Sequence, residues 1–205
     1  MSREVLEFVK KRNPEEVETQ LILQCAPFLS GIKPSNLWMI PGASLPQAER
    51  LLKGGEISYE LLLHTKERAA ILMYEKKQLE HYLKQKQVKK ILAGLGYETF
   101  TLQAVLDGCK GRCRRYMEGL NEFPHELGLL LGYPPEDVEG FIEHKGEDFL
   151  YAGYWKVYED LPAKKQMFQR FEYATQELMQ CILMGTDIAE IISGNRKNKL
   201  QHAVI

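Results

Sequence analysis

The chain has 205 residues, of which 44% are hydrophobic and 27% charged, and both values are ordinary for a globular domain. These proportions argue against wholesale disorder, and a chain of this length can bury a core without disulfides or a metal. The 27 basic and 28 acidic side chains leave a net charge of −1, so no long-range field gathers nucleic acid or anionic lipid.

The sequence carries no targeting or membrane signal. The first residues, Met1 to Glu7, are charged from the start and contain no apolar signal core. No apolar run approaches the roughly 20 residues that span a bilayer. The four cysteines are too few and too scattered for a secreted disulfide framework. They are Cys25, Cys109, Cys113 and Cys181. We therefore expect a cytoplasmic protein without a membrane segment.

Helix and strand signals alternate in the first half of the chain. Asn13 and Pro14 predict a helix start, and Pro27 disturbs that helix just after Cys25. The next predicted elements are a strand over 36–40, a short helix after Ser44, a strand over 69–74 and a long helix over about 76–95. Strand followed by helix in this order predicts βαβ-like packing on a small sheet.

The second half is mostly helical. We predict a helix over about 101–120, short helices that begin at Pro124 and Pro135, a third strand over 151–158, and a long helix capped by Asp160. The fold class is therefore helix-rich α/β (α+β), with a small sheet of about three short strands. We predict a single domain over 1–205, with an N-terminal helix over 1–12 and a frayed tail over 194–205.

Three stretches carry a family resemblance: CAPFLSGIKPSNL over 25–37, FPHELGLLLGYPPEDVEGFI over 123–142, and GYWKVY over 153–158. Together they resemble the bacterial family catalogued as domain of unknown function 3793, over about residues 14–180. The resemblance implies no activity, cofactor or substrate. Relatives often carry cysteine just before the Gly-Tyr-Trp segment, and Ala152 in this chain argues against a cysteine pair there.

Cys25, His125 and Glu126 form the set that suggests nucleophilic chemistry. A thiol reacts as thiolate, an imidazole can hold that state as base, and a carboxylate can orient the imidazole. Asn36 is an alternative orienting group. The alternative is that Cys25 has only a structural role in the core. It shares a helix face with apolar residues, and cysteine is often simply buried.

A second group of residues suggests ligand binding. On a strand, Tyr154, Lys156 and Tyr158 share one face and present two phenols around an ammonium. With Lys33 as a further anion-binding group, this face predicts a site for a small anionic or planar ligand. The alternative is an amphipathic edge strand with exposed tyrosines. The predicted ligand-binding residues are Lys33, Asn36, Tyr133, Tyr154, Lys156 and Tyr158.

No metal or nucleic-acid site is predicted. Cys109 and Cys113 share a helix face among basic residues that favour thiolate, but no third or fourth ligand follows at a recognisable spacing. His125 lacks the second histidine of a zinc protease, because residue 129 is leucine. The basic residues over 110–115 and 196–199 are adjacent to one aromatic residue only, Tyr116, so a solvated helix face is favoured.

The expected function is that of a cytoplasmic enzyme or small-ligand-handling protein with a pocket containing Cys25 and His125. The alternative is a non-catalytic interaction or regulatory protein, whose partners dock on exposed aromatic or helical faces. The cofactor and the oligomeric state are left open by the sequence.

Overall fold

The computed structural model describes Phe8, Lys10, Asn13 and residues 16–53, 55–120 and 123–193. The predicted N-terminal helix lies outside these ranges apart from Phe8 and Lys10, and the predicted tail over 194–205 lies outside them altogether. The chain divides into two compact units: unit 1 comprises Met1–Tyr74 and Arg170–Ile205, and unit 2 comprises Glu75–Gln169. The single-domain organisation stays a prediction.

The described residues form an α+β fold in which helices predominate. The helices are α1 (Val17–Leu29), α2 (Leu45–Lys53), α3 (Lys76–Leu83), α4 (Lys86–Gly94), α5 (Leu102–Met117), α6 (Glu126–Leu130), α7 (Pro135–Glu143), α8 (Leu161–Leu183) and α9 (Ile188–Ile192). The strands are β1 (Ser35–Pro41), β2 (Ser58–His64), β3 (Arg68–Tyr74), β4 (Tyr151–Ala152) and β5 (Lys156–Val157). Over the described ranges, none of the helices has both the length and the apolar composition that a membrane crossing requires.

Unit 1 is built on a three-stranded sheet in the order β1-β3-β2. Both ladders are antiparallel, and Ile71 of the central strand lies opposite Trp38 on one side and Leu61 on the other. Helix α1 packs on β1. The shared core contains Leu21 and Cys25 of α1 together with Trp38, and each of these side chains is fully buried. Burial of this apolar area supplies the main stabilisation of unit 1.

The strands of unit 1 correct two predictions. Strand β2 was missed because its sequence, SYELLLH, is rich in leucine and glutamate, which favour helix as readily as strand. The expected βαβ-like packing does not describe how the strands pair. Strands β1 and β2 run in the same direction, but β3 lies between them, so every neighbouring pair is antiparallel.

Helix α1 also differs from the prediction at both ends. It begins at Val17, with Glu16 in an extended conformation as its N-cap, rather than directly after Asn13. Pro27 lies inside the helix, which continues to Leu29. Proline disturbs a helix less near its last turn, because few residues beyond it depend on the lost hydrogen bond.

Unit 2 contains α3 to α7, the β4–β5 hairpin and the beginning of α8. The long helix predicted over about 76–95 is two helices, α3 and α4, separated by Lys84 and Gln85. Gln85 is extended, with φ −61° and ψ 140°. The polar stretch over 84–87 contains no apolar side chain to bury, so packing does not hold this turn in a helix.

The segment predicted as a strand over 151–158 is a hairpin. Its two-residue strands β4 and β5 are joined across Gly153, whose N–H donates to the carbonyl oxygen of Trp155 over 3.0 Å. A Cβ atom added at Gly153 would lie 2.3 Å from the Phe168 ring, so the tight turn requires glycine. Tyr154 lies in the turn. The prediction that Tyr154, Lys156 and Tyr158 share one strand face is therefore wrong.

Gly42 offers a test of the unit 1 packing. A Cβ atom there would lie 2.1 Å from the carbonyl oxygen of Thr65 and 2.8 Å from that of Lys66, both of which belong to the backbone. Because backbone atoms cannot rotate away, we expect Gly42→Ala to lower the free energy of unfolding by about 3 kcal/mol in urea denaturation. Gly94→Ala, which meets open space at the end of α4, is the control and should change it by less than about 1 kcal/mol. Equal stability of the two variants would contradict this packing.

Candidate functional site

Three of the predicted site residues meet in unit 1 around one side-chain amide. The Nζ atom of Lys33 donates to Oδ1 of Asn36 over 3.1 Å, and Nδ2 of Asn36 lies 3.4 Å from Sγ of Cys25. The same Nδ2 reaches the carbonyl oxygens of Gln24 and Leu37, at 3.1 and 3.0 Å. An amide nitrogen carries two hydrogens, so these three acceptors share them. The carboxamide of Asn36 thus joins α1, β1 and the loop between them.

The local backbone brings Lys33 into this cluster. The carbonyl oxygen of Pro27 accepts hydrogen bonds from the backbone N–H groups of Ile32 and Lys33, each over 3.1 Å. The chain reverses at Gly31, whose φ of 76° is a left-handed conformation that glycine adopts at little steric cost. The turn places Lys33 directly before β1, with its side chain 6% exposed.

Burial dominates the protonation of both ionisable groups in the cluster. It raises the pKa of Cys25 far above the ordinary thiol value, and the opposing effects of Asn36 and Lys33 are smaller. Burial also lowers the pKa of Lys33 to about 8, against a smaller opposing effect of Cys25. The cluster combines a thiol whose pKa is raised with an amine whose pKa is lowered, and this favours the structural interpretation of Cys25 over the nucleophilic one.

His125 and Glu126 lie in unit 2, whereas Cys25 lies in unit 1. His125 is the N-cap residue of α6, and its ring centroid lies 5.8 Å from that of Phe141. Glu126 is 1% exposed, and its Oε1 accepts hydrogen bonds from Arg112. The pairing of Cys25 with His125 stays a prediction.

Arg112 departs from the expected solvated basic face of α5, on which Arg114 and Arg115 are exposed. The Nη1 atom of Arg112 donates to Glu126 over 2.9 Å, and its Nη2 atom donates to the carbonyl oxygen of Leu95 over 2.7 Å. The guanidinium lies 4.6 Å from the centroid of the Tyr97 ring, and the Tyr97 hydroxyl also donates to Glu126. These partners come from other parts of the chain, so the spacing of basic residues within α5 could not reveal them.

Two of the predicted ligand-binding residues of unit 2 lie in one aromatic group. Tyr133 stacks on Trp155, at 4.9 Å, Tyr154 lies beside Phe168, at 5.4 Å, and the Tyr133 hydroxyl lies 3.5 Å from the carbonyl oxygen of Tyr154. The Nζ atom of Lys156 donates to the carbonyl oxygen of Gly146 and lies 4.6 Å from the centroid of the Phe149 ring. The ring of Tyr158 stacks on His144, with centroids 5.5 Å apart. A binding site that combines these residues stays a prediction.

Asp137 is a buried residue whose role the sequence analysis missed. Its Oδ2 accepts the indole N–H of Trp155 over 2.7 Å, and its Oδ1 accepts the backbone N–H groups of Tyr158 and Glu159, over 2.8 and 3.2 Å. Lys164 lies 3.9 Å from the same carboxylate. Asp137 is one of four acids in the middle motif, so its residue type alone did not distinguish it. Asp137 ties α7 to the segment that follows β5.

The two cysteines of α5 lie in contact, as their spacing predicts. Their Sγ atoms are 3.9 Å apart; Cys109 is buried and Cys113 is partly exposed. The hydrogen bond between the two thiols raises the pKa of Cys109 and lowers the pKa of Cys113. Among the described residues, no three or more histidine, cysteine, aspartate or glutamate side chains are grouped so as to hold a metal ion.

The fold and the buried cluster define a helix-rich α+β protein with a lysine amine in the core of unit 1. The chain belongs to the family described as protein of unknown function DUF3793, whose family model matches residues 21–192. The family resemblance of the three motifs is thereby confirmed. No curated protein and no solved structure shows a significant similarity to the chain.

The cysteine environments predict an order of reaction with iodoacetamide at pH 8. Cys113 should be alkylated in the folded protein, because it is partly exposed and the hydrogen bond with Cys109 lowers its pKa. Cys25 should react only after unfolding, because it is fully buried and its pKa is raised. Peptide mass spectrometry of samples taken over time measures both rates, with the partly exposed Cys181 as the reference. Comparable rates for Cys25 and Cys113 in the folded protein would contradict the described burial.

Proposed function

We propose that this chain is a cytoplasmic small-ligand-handling protein whose reactive group is the amine of Lys33. The observation that carries the proposal is the buried hydrogen bond from Lys33 Nζ to Asn36 Oδ1, at 3.1 Å, in surroundings that lower the pKa of the amine to about 8. A buried lysine with a lowered pKa is the usual form of a nucleophilic amine. The four free thiols are compatible with the reducing cytoplasm.

The chemistry proposed for Lys33 is reversible imine formation with a small carbonyl compound. The neutral amine attacks the carbonyl carbon, a C–N bond forms, and the carbonyl oxygen leaves as water, with no change of oxidation state. A short 2-oxo acid fits this chemistry and matches the small, planar and anionic ligand that the sequence predicts. The hydrogen bond to Asn36 holds the nitrogen at one position, which favours attack from a fixed direction.

Lys33 lies in a loop that begins at an exposed turn. Gly31 is exposed, Ile32 and Pro34 are partly buried, and Lys33 between them is buried. The backbone of Lys33 therefore lies two residues along the chain from the exposed turn. A ligand of a few heavy atoms is the size that we propose for this site.

Lys164 provides a matched comparison within the same chain. It is as buried as Lys33, at 5% against 6%, but its ammonium lies against the carboxylates of Glu136 and Asp137. Its nitrogen forms ion pairs with two carboxylates, whereas the Lys33 nitrogen donates to the neutral amide of Asn36. The different surroundings of two equally buried lysines support Lys33 as the reactive one.

A thiol enzyme in which Cys25 is the nucleophile and His125 the base stays a prediction. The raised pKa of Cys25 disfavours it, because the thiolate is the reactive form. In the present proposal, the Cys25 thiol is a neutral acceptor for Asn36. Glu126 and Lys156 also stay predicted site residues, each with its own contacts in unit 2.

A non-catalytic interaction protein is the second candidate, and a different observation favours it. Four large apolar side chains at the β4–β5 hairpin are exposed, the most exposed being Leu150 at 58%. The others are Phe149, Tyr151 and Tyr154. Exposed apolar groups of this kind are typical of interaction surfaces. Under this alternative, Lys33 has no special reactivity towards carbonyl compounds.

Reductive trapping tests the proposed imine. The folded protein is incubated at pH 7.5 with glyoxylate and cyanoborohydride, and the modified lysines are located by peptide mass spectrometry. We expect Lys33 to be modified at least about tenfold faster than Lys164, because its amine is partly neutral whereas Lys164 is held in ion pairs.

The controls separate reactivity from folding. Lys33→Met should lose only the trapped product at residue 33, and Lys164→Met should leave the rate at Lys33 unchanged. Circular dichroism confirms that each variant is folded. An unmodified Lys33 in a protein whose exposed lysines are labelled would contradict the proposal and favour the second candidate.

A further inference from the structure

The thiol pair on α5 is not part of the proposed Lys33 site, and its geometry suits a ligand of its own. The Sγ atoms of Cys109 and Cys113 lie 3.9 Å apart on successive turns of the helix. At metal–sulfur distances of about 2.3 Å, two sulfurs so placed subtend an angle of about 115° at a shared cation. This angle is close to that of trigonal coordination by three sulfurs.

Met117 is the third sulfur at the same spacing. It follows Cys113 by four residues, as Cys113 follows Cys109, so the three residues lie along one side of α5. Side chains on a helix lean towards its N-terminus, which inclines the Met117 thioether towards the turn that carries Cys113. Exposure increases along this row, from the buried Cys109 through the partly exposed Cys113 to Met117, at 40%. A ligand can therefore approach from the Met117 end.

We propose that Cys109, Cys113 and Met117 bind a soft monovalent cation, Cu(I), on one face of α5. Thiolate and thioether donors select Cu(I) among biological metals, and Cu(I) accepts as few as two or three of them. Zinc fits less well, because structural zinc takes four ligands and catalytic zinc three, drawn from cysteine, histidine and carboxylates. The described residues contain no such group of three around a common point.

The binding reaction balances without an oxidant or a reductant. Two S–H bonds break, two S–Cu bonds form, two protons pass to the solvent, and copper stays Cu(I). The bis-thiolate unit carries one net negative charge. The Arg112 cation lowers the pKa of Cys109, whereas the Glu126 carboxylate raises the pKa of both cysteines.

A disulfide is the competing product of the same pair, and helix geometry disfavours it. Residues four apart on a helix have Cβ atoms about 5–6 Å apart. A disulfide requires about 3.5–4.5 Å, so bond formation would distort α5. A bridging cation spans the existing 3.9 Å between the sulfurs without that distortion.

An anaerobic titration of the full chain with Cu(I), supplied as its acetonitrile complex, tests this site. Bathocuproine disulfonate competes for the metal, and the absorbance of its copper complex reports affinity and stoichiometry. We expect one Cu(I) per chain. Cys113→Ser should weaken binding at least about 100-fold and Met117→Leu about tenfold, because each removes a sulfur that contacts the metal. Cys181→Ser, at a partly exposed cysteine on α8, is the matched control and should bind as the unaltered chain does.

Several outcomes would overturn the site. One is a reduced, folded chain that takes no copper from the competitor. Others are an unchanged affinity in Met117→Leu, an equal loss in Cys181→Ser, or displacement of Cu(I) by equimolar Zn(II). A chain that forms the Cys109–Cys113 disulfide and binds no Cu(I) when reduced would also overturn it. The partly exposed position of Cys113 allows the serine variant to fold, and circular dichroism verifies this. None of these outcomes affects the Lys33 proposal, whose residues lie in unit 1.

Discussion

The carboxamide of Asn36 is the interaction on which the buried polar groups of unit 1 depend. Its oxygen accepts from Lys33, and its nitrogen lies within reach of the Gln24 carbonyl and the Cys25 thiol. Each buried polar group left without a partner would cost about 1–3 kcal/mol. The end of α1, the loop and the start of β1 therefore hold one another in position. Strand β1 is in turn paired with β3 along its whole length, which extends this order into the sheet.

Two equally buried lysines show how the surroundings decide the chemistry of an amine. Lys164 lies against two carboxylates, whereas the lowered pKa of Lys33 reflects desolvation above all. Because the folded state lowers this pKa below its unfolded value, unfolding takes up protons between about pH 8 and 10.5. The stability cost of charging Lys33 is therefore complete below pH 8 and declines as the pH rises towards 10.5.

Local signals in the sequence predicted most of the helices. The strands were predicted less well, because strand pairing joins residues that are far apart in the chain. The Thr101 side chain caps α5, and Pro135 begins α7, because caps and helix-initiating prolines act within one turn. Strand β2 was missed because its pairing with β3, rather than its own leucine-rich sequence, makes it a strand. The hairpin at Gly153 was predicted as one strand. Its turn packs closely against Phe168, and the local sequence does not indicate this contact.

Part of the candidate site was predictable, because its residues are close together in the sequence. Cys25, Lys33 and Asn36 lie close together in the first motif, and the structure brings their side chains into one cluster. Their pKa values were not predictable from the spacing, since burial raises the pKa of Cys25 and lowers the pKa of Lys33. The role of Asp137 depends on Trp155 and Tyr158, and no spacing within α7 indicates these partners.

Nuclear magnetic resonance measures the protonation of Lys33 directly. The Cε–Hε resonances of ¹³C-labelled lysine are followed from pH 6 to pH 11, with Lys33→Met and Lys164→Met assigning the two buried lysines. We expect a midpoint of about 8 for Lys33. A midpoint at the ordinary lysine value of 10.5 would mean that the amine is charged at neutral pH and would contradict the proposed reactivity of Lys33.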